Sequence, residues 1–309
     1  TETLNIDVAD DTDNAFDLNA SGLKTLNITG GGAITVTNDI GDTGLAGVTS
    51  IDASAASGAV NLSIDGTTIE TVDTGSAGDM LHIRGSHADG IYNTNGGNDT
   101  VEVDDFGSDA ELNTGDGADK IELDIALNAD TQKIDGGDGI DTIEISKSAV
   151  KGDYDNIETL EISGGASTVW LNLFDSLNHV EIDTTTEVTL HKVDDDYIIE
   201  TVDGALVKFE VTPNNAVDMV AGGDLTLINA AATASKTLSI DFVSGTAATL
   251  KLLDDVNPNQ FVTLTIEGTK ESVTLEGAGF SDATSKLTTF DASAAEDPIL
   301  VGSTASSID

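Results

Sequence analysis

The chain has no cysteine, three prolines, twelve basic residues, and aromatic side chains at only 4% of its positions. Each shortage excludes something. Without cysteine no disulfide staples the fold, and the redox compartment is not legible. A secreted protein lacking both disulfides and a large aromatic core needs another source of rigidity, and metal ions would serve. No apolar run approaches the ~20 residues that span a bilayer. Basic residues are limited to Arg84 and eleven scattered lysines, so no cation stands beside clustered acids as it would in a polysaccharide lyase. His82, His87, His179 and His191 form no HExxH pair and lie near no candidate nucleophile. The chain reads as a non-enzyme. Helical signal is weak too: Ala230-Ala231-Ala232 and Ala53-Ser54-Ala55-Ala56 are too short to propagate a helix.

Acid is what the chain has in excess. Against its 12 basic residues stand 56 acidic ones, for a net charge of −44. Such a charge repels itself and weakens a compact state unless counter-ions gather on it. It argues against nucleic acid or anionic lipid as a direct partner. Divalent cations are the natural complement, since calcium takes carboxylates and backbone carbonyls as ligands. Disorder is disfavoured, because 39% of residues are hydrophobic and alternate in β fashion.

Nearly every segment reads as a strand of 4–6 residues rich in Thr, Val and Ile, closed by Gly, Asn, Asp or Ser. Asp79, Asp99, Asp119 and Asp141 recur at intervals of 20, 20 and 22 residues, each in a Gly/Asn-rich turn. Gly136-Gly137-Asp138-Gly139-Ile140-Asp141-Thr142-Ile143 fits the calcium-binding nonapeptide G-G-x-G-x-D-x-U at every specified position. The turn at 114–121 misses one glycine, the turn at 94–101 has Asn in a glycine slot, and the turn at 74–81 is degenerate. Residues 23–36 echo 157–171, and 48–56 echo 287–295. Self-similarity near twenty residues predicts a solenoid whose rungs contact only their neighbours.

After each aspartate come two apolar residues spaced by two: Leu81/Ile83, Val101/Val103, Ile121/Leu123 and Ile143/Ile145. Period two sends both to one face of a strand, so the strands should stack into an aliphatic ladder. A fainter row, Asp89, Asp109 and Asp130, lies half a period away, as a flattened coil with two turn edges requires. His87, Gly107 and Asn128 fill its glycine slot, so this edge should bind ions less well. The expected fold is all-β: a parallel β-solenoid or β-roll with calcium-binding turns. The longer strands near 184–260 are a candidate small antiparallel lobe. Boundaries fall at 1–73 for solenoid rungs, 74–150 for calcium-binding rungs and 151–309 for further rungs. The start, Thr1-Glu2-Thr3-Leu4, reads as mid-strand, so the chain reads as a fragment or processed product.

The 136–143 repeat, the Asp-Ala-Ser-Ala-Ala pieces at 52–56 and 291–295, and the Leu-Asn-Ile-Thr-Gly and Leu-Glu-Ile-Ser-Gly pieces at 26–30 and 160–164 carry a resemblance. Together they resemble Gram-negative S-layer proteins of the type I-secreted, repeats-in-toxin class. The resemblance implies a secreted, extracellular cell-surface protein that binds several Ca2+ ions and assembles with copies of itself. Lipopolysaccharide is the implied anchor, through a region the sequence does not locate; membrane insertion is not expected. The implied side-chain ligands are Asp99, Asp119 and Asp141. Asn95, Gly97, Gly115, Gly117, Gly136, Gly137 and Gly139 supply carbonyls or turn geometry, and Asp116, Asp138, Asp79, Asp89, Asp109 and Asp130 complete the candidate set. Thr94, Thr114 and Ala77 depart from the repeat. A calcium-stiffened adhesin or stalk is the alternative, with Trp170 and Tyr92 as sugar-stacking candidates. Asp297-Pro298 reads as an acid-labile bond or, more simply, a loop closed by proline.

Overall fold

The computed structural model describes residues 2–9, 14–42, 44–184, 186 and 188–191 with their side chains, and beyond these the backbone of 192–193 and of the later strands. Two compact units are present. The first holds residues 1–147, 151–159 and 173–176, and the second holds the remainder.

In the first unit the chain winds as a parallel solenoid, with alternate strands joining alternate rows. One row runs Thr3–Val8, Thr25–Gly30, Ser50–Ala56, Thr71–Asp73, Ile91–Asn93, Glu111–Asn113, Lys133–Asp135 and Asp153–Asp155. The facing row runs Asn14–Phe16, Ile34–Val36, Val60–Asp65, Met80–Gly85, Thr100–Val103, Lys120–Leu123 and Thr142–Ile145. Parallel neighbours need a crossover between them, and here each crossover is the strand of the opposite row. The period-two spacing has the expected consequence. Leu81, Val101, Ile121 and Ile143 are direct register partners, as are Ile83, Val103, Leu123 and Ile145, and all eight are buried. From the other row, Val72, Tyr92, Leu112, Ile134 and Tyr154 form a second buried column. Polar residues of the same strands face outward, where Lys120 lies 3.4 Å from Glu122 and 3.0 Å from Glu144.

The second unit repeats the two-row arrangement. Thr159–Ser163, His179–Asp183, Tyr197–Thr201, Ala216–Val220, Lys236–Phe242, Phe261–Glu267 and Thr289–Ala294 make one row. Thr168–Trp170, Val188–Val193, Ala205–Val211, Gly223–Ile228, Ala248–Leu253, Val273–Glu276 and Ile299–Val301 make the other. The stretch expected as an antiparallel lobe therefore pairs in parallel from Val188 through Glu267. Its longer alternating strands lengthen the rows without reversing them. The three prolines, the Asp297-Pro298 bond and the 230–232 alanines lie outside the described residues. Among the described residues the helical element is one 3-10 turn, Leu171–Leu173, and no helix is long and apolar enough to cross a membrane.

Candidate metal centre

Four turns, 74–79, 94–99, 114–119 and 136–141, connect the two rows along one edge of the first unit. Their stacking follows from the strand register. Thr100 pairs with Met80 and Lys120, and Lys120 with Thr142, so the residue preceding each strand is brought into line. Those residues are Asp79, Asp99, Asp119 and Asp141, and all four are buried.

Each aspartate reaches back to the turn before it. Asp99 Oδ1 accepts from the N–H of Asp79 at 2.7 Å, Asp119 Oδ1 from Asp99 at 2.7 Å, and Asp141 Oδ1 from Asp119 at 2.8 Å. Their other oxygens are different. Oδ2 of Asp99, Asp119 and Asp141 is buried without a hydrogen-bond partner. A buried carboxylate oxygen left this way carries a desolvation cost that a hydrogen bond or a counter-ion must offset. Asp79 does not share the condition, because its Oδ1 accepts from Val60 N–H at 2.8 Å and its Oδ2 from Gly75 N–H at 2.9 Å.

Electrostatics agree with the geometry. Burial pushes the Asp99 carboxyl up to about 6, with repulsion from Asp119 and Asp79 adding to it and the N–H of Asp79 and the nearby Thr94 hydroxyl, which itself donates to the Thr114 carbonyl, opposing it. Burial likewise raises Asp141 to about 6, and Asp119, Glu158 and Asp135 add like charge. Asp119 and Asp79 are raised by burial as well. Removal from water disfavours the charged form in each case.

Backbone carbonyls complete the surroundings. A side chain on Gly117 would place its Cβ 1.6 Å from the Gly97 oxygen, and one on Gly139 would stand 1.5 Å from the Gly117 oxygen. Only glycine admits the carbonyl of the preceding turn so closely. Asp116-Gly117 and Asp138-Gly139 pair as a small ladder beside these carbonyls, with the Asp116 and Asp138 side chains exposed. Asn95 holds a left-handed φ of 66°, and its side-chain amide donates to the Thr74 carbonyl at 2.7 Å. Gly115 and Gly137, at the place of Asn95 in their own turns, also have positive φ, as do Gly97 and Gly139 two residues further on. Carboxylates and carbonyls, with no sulfur or imidazole among them, are the donor set of a hard cation such as calcium. The three unpartnered Oδ2 atoms fit that group.

Other candidates are placed differently. Asp89, Asp109 and Asp130 lie in the turns of the opposite edge with exposed side chains. That edge is closed largely by neutral groups, with Asp105 Oδ2 accepting from Ser86 N–H at 3.2 Å. Gln132, fully buried, accepts from the N–H groups of Asn128 and Ala129 and donates to the carbonyls of Phe106 and Gly107. Ser86 Oγ accepts from Gly107 N–H at 3.0 Å. His82 points outward on its strand, with Nε2 2.9 Å from an Asp104 carboxylate oxygen and Nδ1 3.6 Å from one of Glu102.

Compared with known proteins, the chain matches no family model, no curated protein and no solved structure. Its chemistry therefore has to be read from its own residues.

Two sets of residues escaped the sequence reading. Thr94 and Thr114, departures from the nonapeptide, are buried with Thr74 and form a column: Thr74 donates to the Thr94 carbonyl at 3.0 Å, Thr94 to Thr114 at 3.0 Å, and Thr114 to Gly136 at 2.7 Å. Each precedes its aspartate by five residues, a spacing that does not by itself tell a buried hydroxyl from an exposed one. Beyond the last repeat, Glu158 Oε2 accepts from Asp141 N–H at 2.8 Å, in the position an aspartate of the next turn would take. No motif marks Glu158.

Proposed function

We propose that this chain is a structural protein whose coils are fastened along one edge by calcium, and that it folds and assembles into an extracellular surface layer on meeting the ion. The observation that carries the reading is the row of buried aspartates whose Oδ2 atoms lack partners while their Oδ1 atoms tie turn to turn. Calcium, when bound, supplies the positive charge that this row lacks. Asp99, Asp119 and Asp141 would hold it, with the carbonyls of Gly97, Gly115 and Gly117 beside them. The chain's own part is to set those oxygens in line and exclude water from them. Without the ion, carboxylates at a net charge of −44 repel, and folding is expected to be coupled to metal binding. Self-association, secretion and a lipopolysaccharide anchor rest on the sequence resemblance.

Titrating calcium into chelator-treated protein tests both halves. Circular dichroism should gain β signal, and electron microscopy should show planar sheets above a threshold calcium concentration. An unchanged spectrum would overturn the coupling. Dispersed particles at saturating calcium would overturn the lattice in favour of the adhesin, for which Trp170, 38% exposed with its ring centroid 5.6 Å from that of His191, is an exposed aromatic platform among the described residues.

A further inference from the structure

Calcium turns of this kind are read from their repeat, and the repeat ends at Asp141. The structure continues past it. Asp153–Asp155 pairs in register with Lys133–Asp135, which sets Asn156 beside Gly136. Asn156 has a left-handed φ of 52°, a conformation Asn tolerates better than most residues. It is pinned on both sides, its side-chain amide donating to Asp135 Oδ1 at 2.7 Å and its N–H to Asp175 Oδ1 at 2.9 Å. This turn is as tightly held as those of the repeat.

Gly136 stands where the earlier turns have threonine. Thr74, Thr94 and Thr114 each send a hydroxyl to a carbonyl one turn on, and Gly136 has none to send to Asn156. Little space is left there, and two of the three nearest atoms are oxygens. A Cβ at Gly136 would lie 2.2 Å from the Asn156 carbonyl oxygen and 2.9 Å from Asp141 Oδ2. That Oδ2 belongs to a fully buried residue and has no hydrogen-bond partner. Glu158 brings a second carboxylate to Asp141 from the same turn.

We propose that the turn Asp155-Asn156-Ile157-Glu158 closes a terminal divalent-cation site against the Gly136–Asp141 turn, with Asp141, Glu158 and the Asn156 carbonyl as ligands. The site takes a hard cation of calcium's class, since its donors are two carboxylates and a carbonyl. It extends the ion row one turn beyond the motif. The inference rests on the calcium reading above, but a different variant tests it.

Glu158→Gln keeps an oxygen that accepts from Asp141 N–H and removes the charge, so a purely structural role for Glu158 would survive it. Equilibrium dialysis with calcium measures ions bound per chain for the wild type, Glu158→Gln and Asp99→Asn. Glu158→Gln should lose one ion, or weaken one site by about tenfold or more, with its circular dichroism in saturating calcium unchanged. Asp99→Asn should lose its ion elsewhere in the row, and the double variant should lose both. If the wild type binds calcium and Glu158→Gln gives the same isotherm, the terminal site is wrong and the row stands. If the wild type binds none, both readings fail. Should Glu158→Gln misfold, Glu158→Asp, which keeps the charge on a shorter arm, must still weaken one site selectively. An isotherm matching the wild type would overturn the proposal.

Discussion

Asp79 and Asp119 occupy equivalent places in the coil, yet their carboxylates have different work. Both Asp79 oxygens accept backbone N–H groups, whereas Asp119 spends one oxygen on Asp99 N–H and leaves the other buried and bare. Asp79→Asn should therefore leave calcium stoichiometry unchanged in dialysis. It should lower the stability of the calcium-loaded protein by about 1–3 kcal/mol, because the amide nitrogen cannot accept from Gly75 or Val60. Asp119→Asn keeps the acceptor for Asp99 but removes a charge from the row. Its calcium affinity should fall roughly tenfold or more, measured by calorimetric titration. Equal losses from the two variants would contradict the assignment of the row. The sequence alone ranked Asp79 last of the four because its turn is degenerate. The reason lies in Val60, whose N–H reaches the carboxylate only after the coil has closed, and in Gly75 of the same turn, whose N–H takes the other oxygen.

At the level of the strand and turn, two kinds of column hold neighbouring rungs together, apolar ones and one of threonine hydroxyls. Leu112, fully buried between Tyr92 and Ile134, has no room to be replaced by solvent. Leu112→Ala should cost about 2–5 kcal/mol in denaturant unfolding with calcium present. Thr94→Val preserves shape and removes the hydroxyl that serves the Thr114 carbonyl. It should cost about 1–2 kcal/mol while leaving the number of ions bound intact. A change in ion count on Thr94→Val would mean that the hydroxyl belongs to the metal centre. The apolar column was legible beforehand, since period-two spacing dictates which face a residue takes. The threonine column was not, because a hydroxyl in a repeat is as compatible with an exposed turn as with a buried ladder.

For the whole molecule, the raised carboxyls set a pH dependence whose sign differs from that of ordinary acid denaturation. Asp99 and Asp141 titrate near 6 in the folded chain against 3.8 for the free group, so the fold holds protons the unfolded chain has released. In chelator, their contribution to stability is fully present below about pH 4 and is lost as pH rises through 6. The β signal that circular dichroism finds in chelator should then be greatest near pH 4.5 and fall toward pH 7.5. With calcium bound the carboxylates must be ionised, and the trend should reverse, stability falling as pH drops below 6. Parallel pH trends in the two conditions would mean the row is not where calcium acts. By itself the sequence determined the repeat period, the aliphatic ladder and the identity of the acidic edge, because these follow from the alternation of side chains along a strand. Only the folded coil decided that the strands after Val188 run parallel, that the opposite edge closes with Gln132 and Ser86, and that Glu158 follows Asp141 in the row. Those outcomes depend on which backbone groups the stacked turns leave unsatisfied, and a linear chain carries no record of that until the rungs are in register.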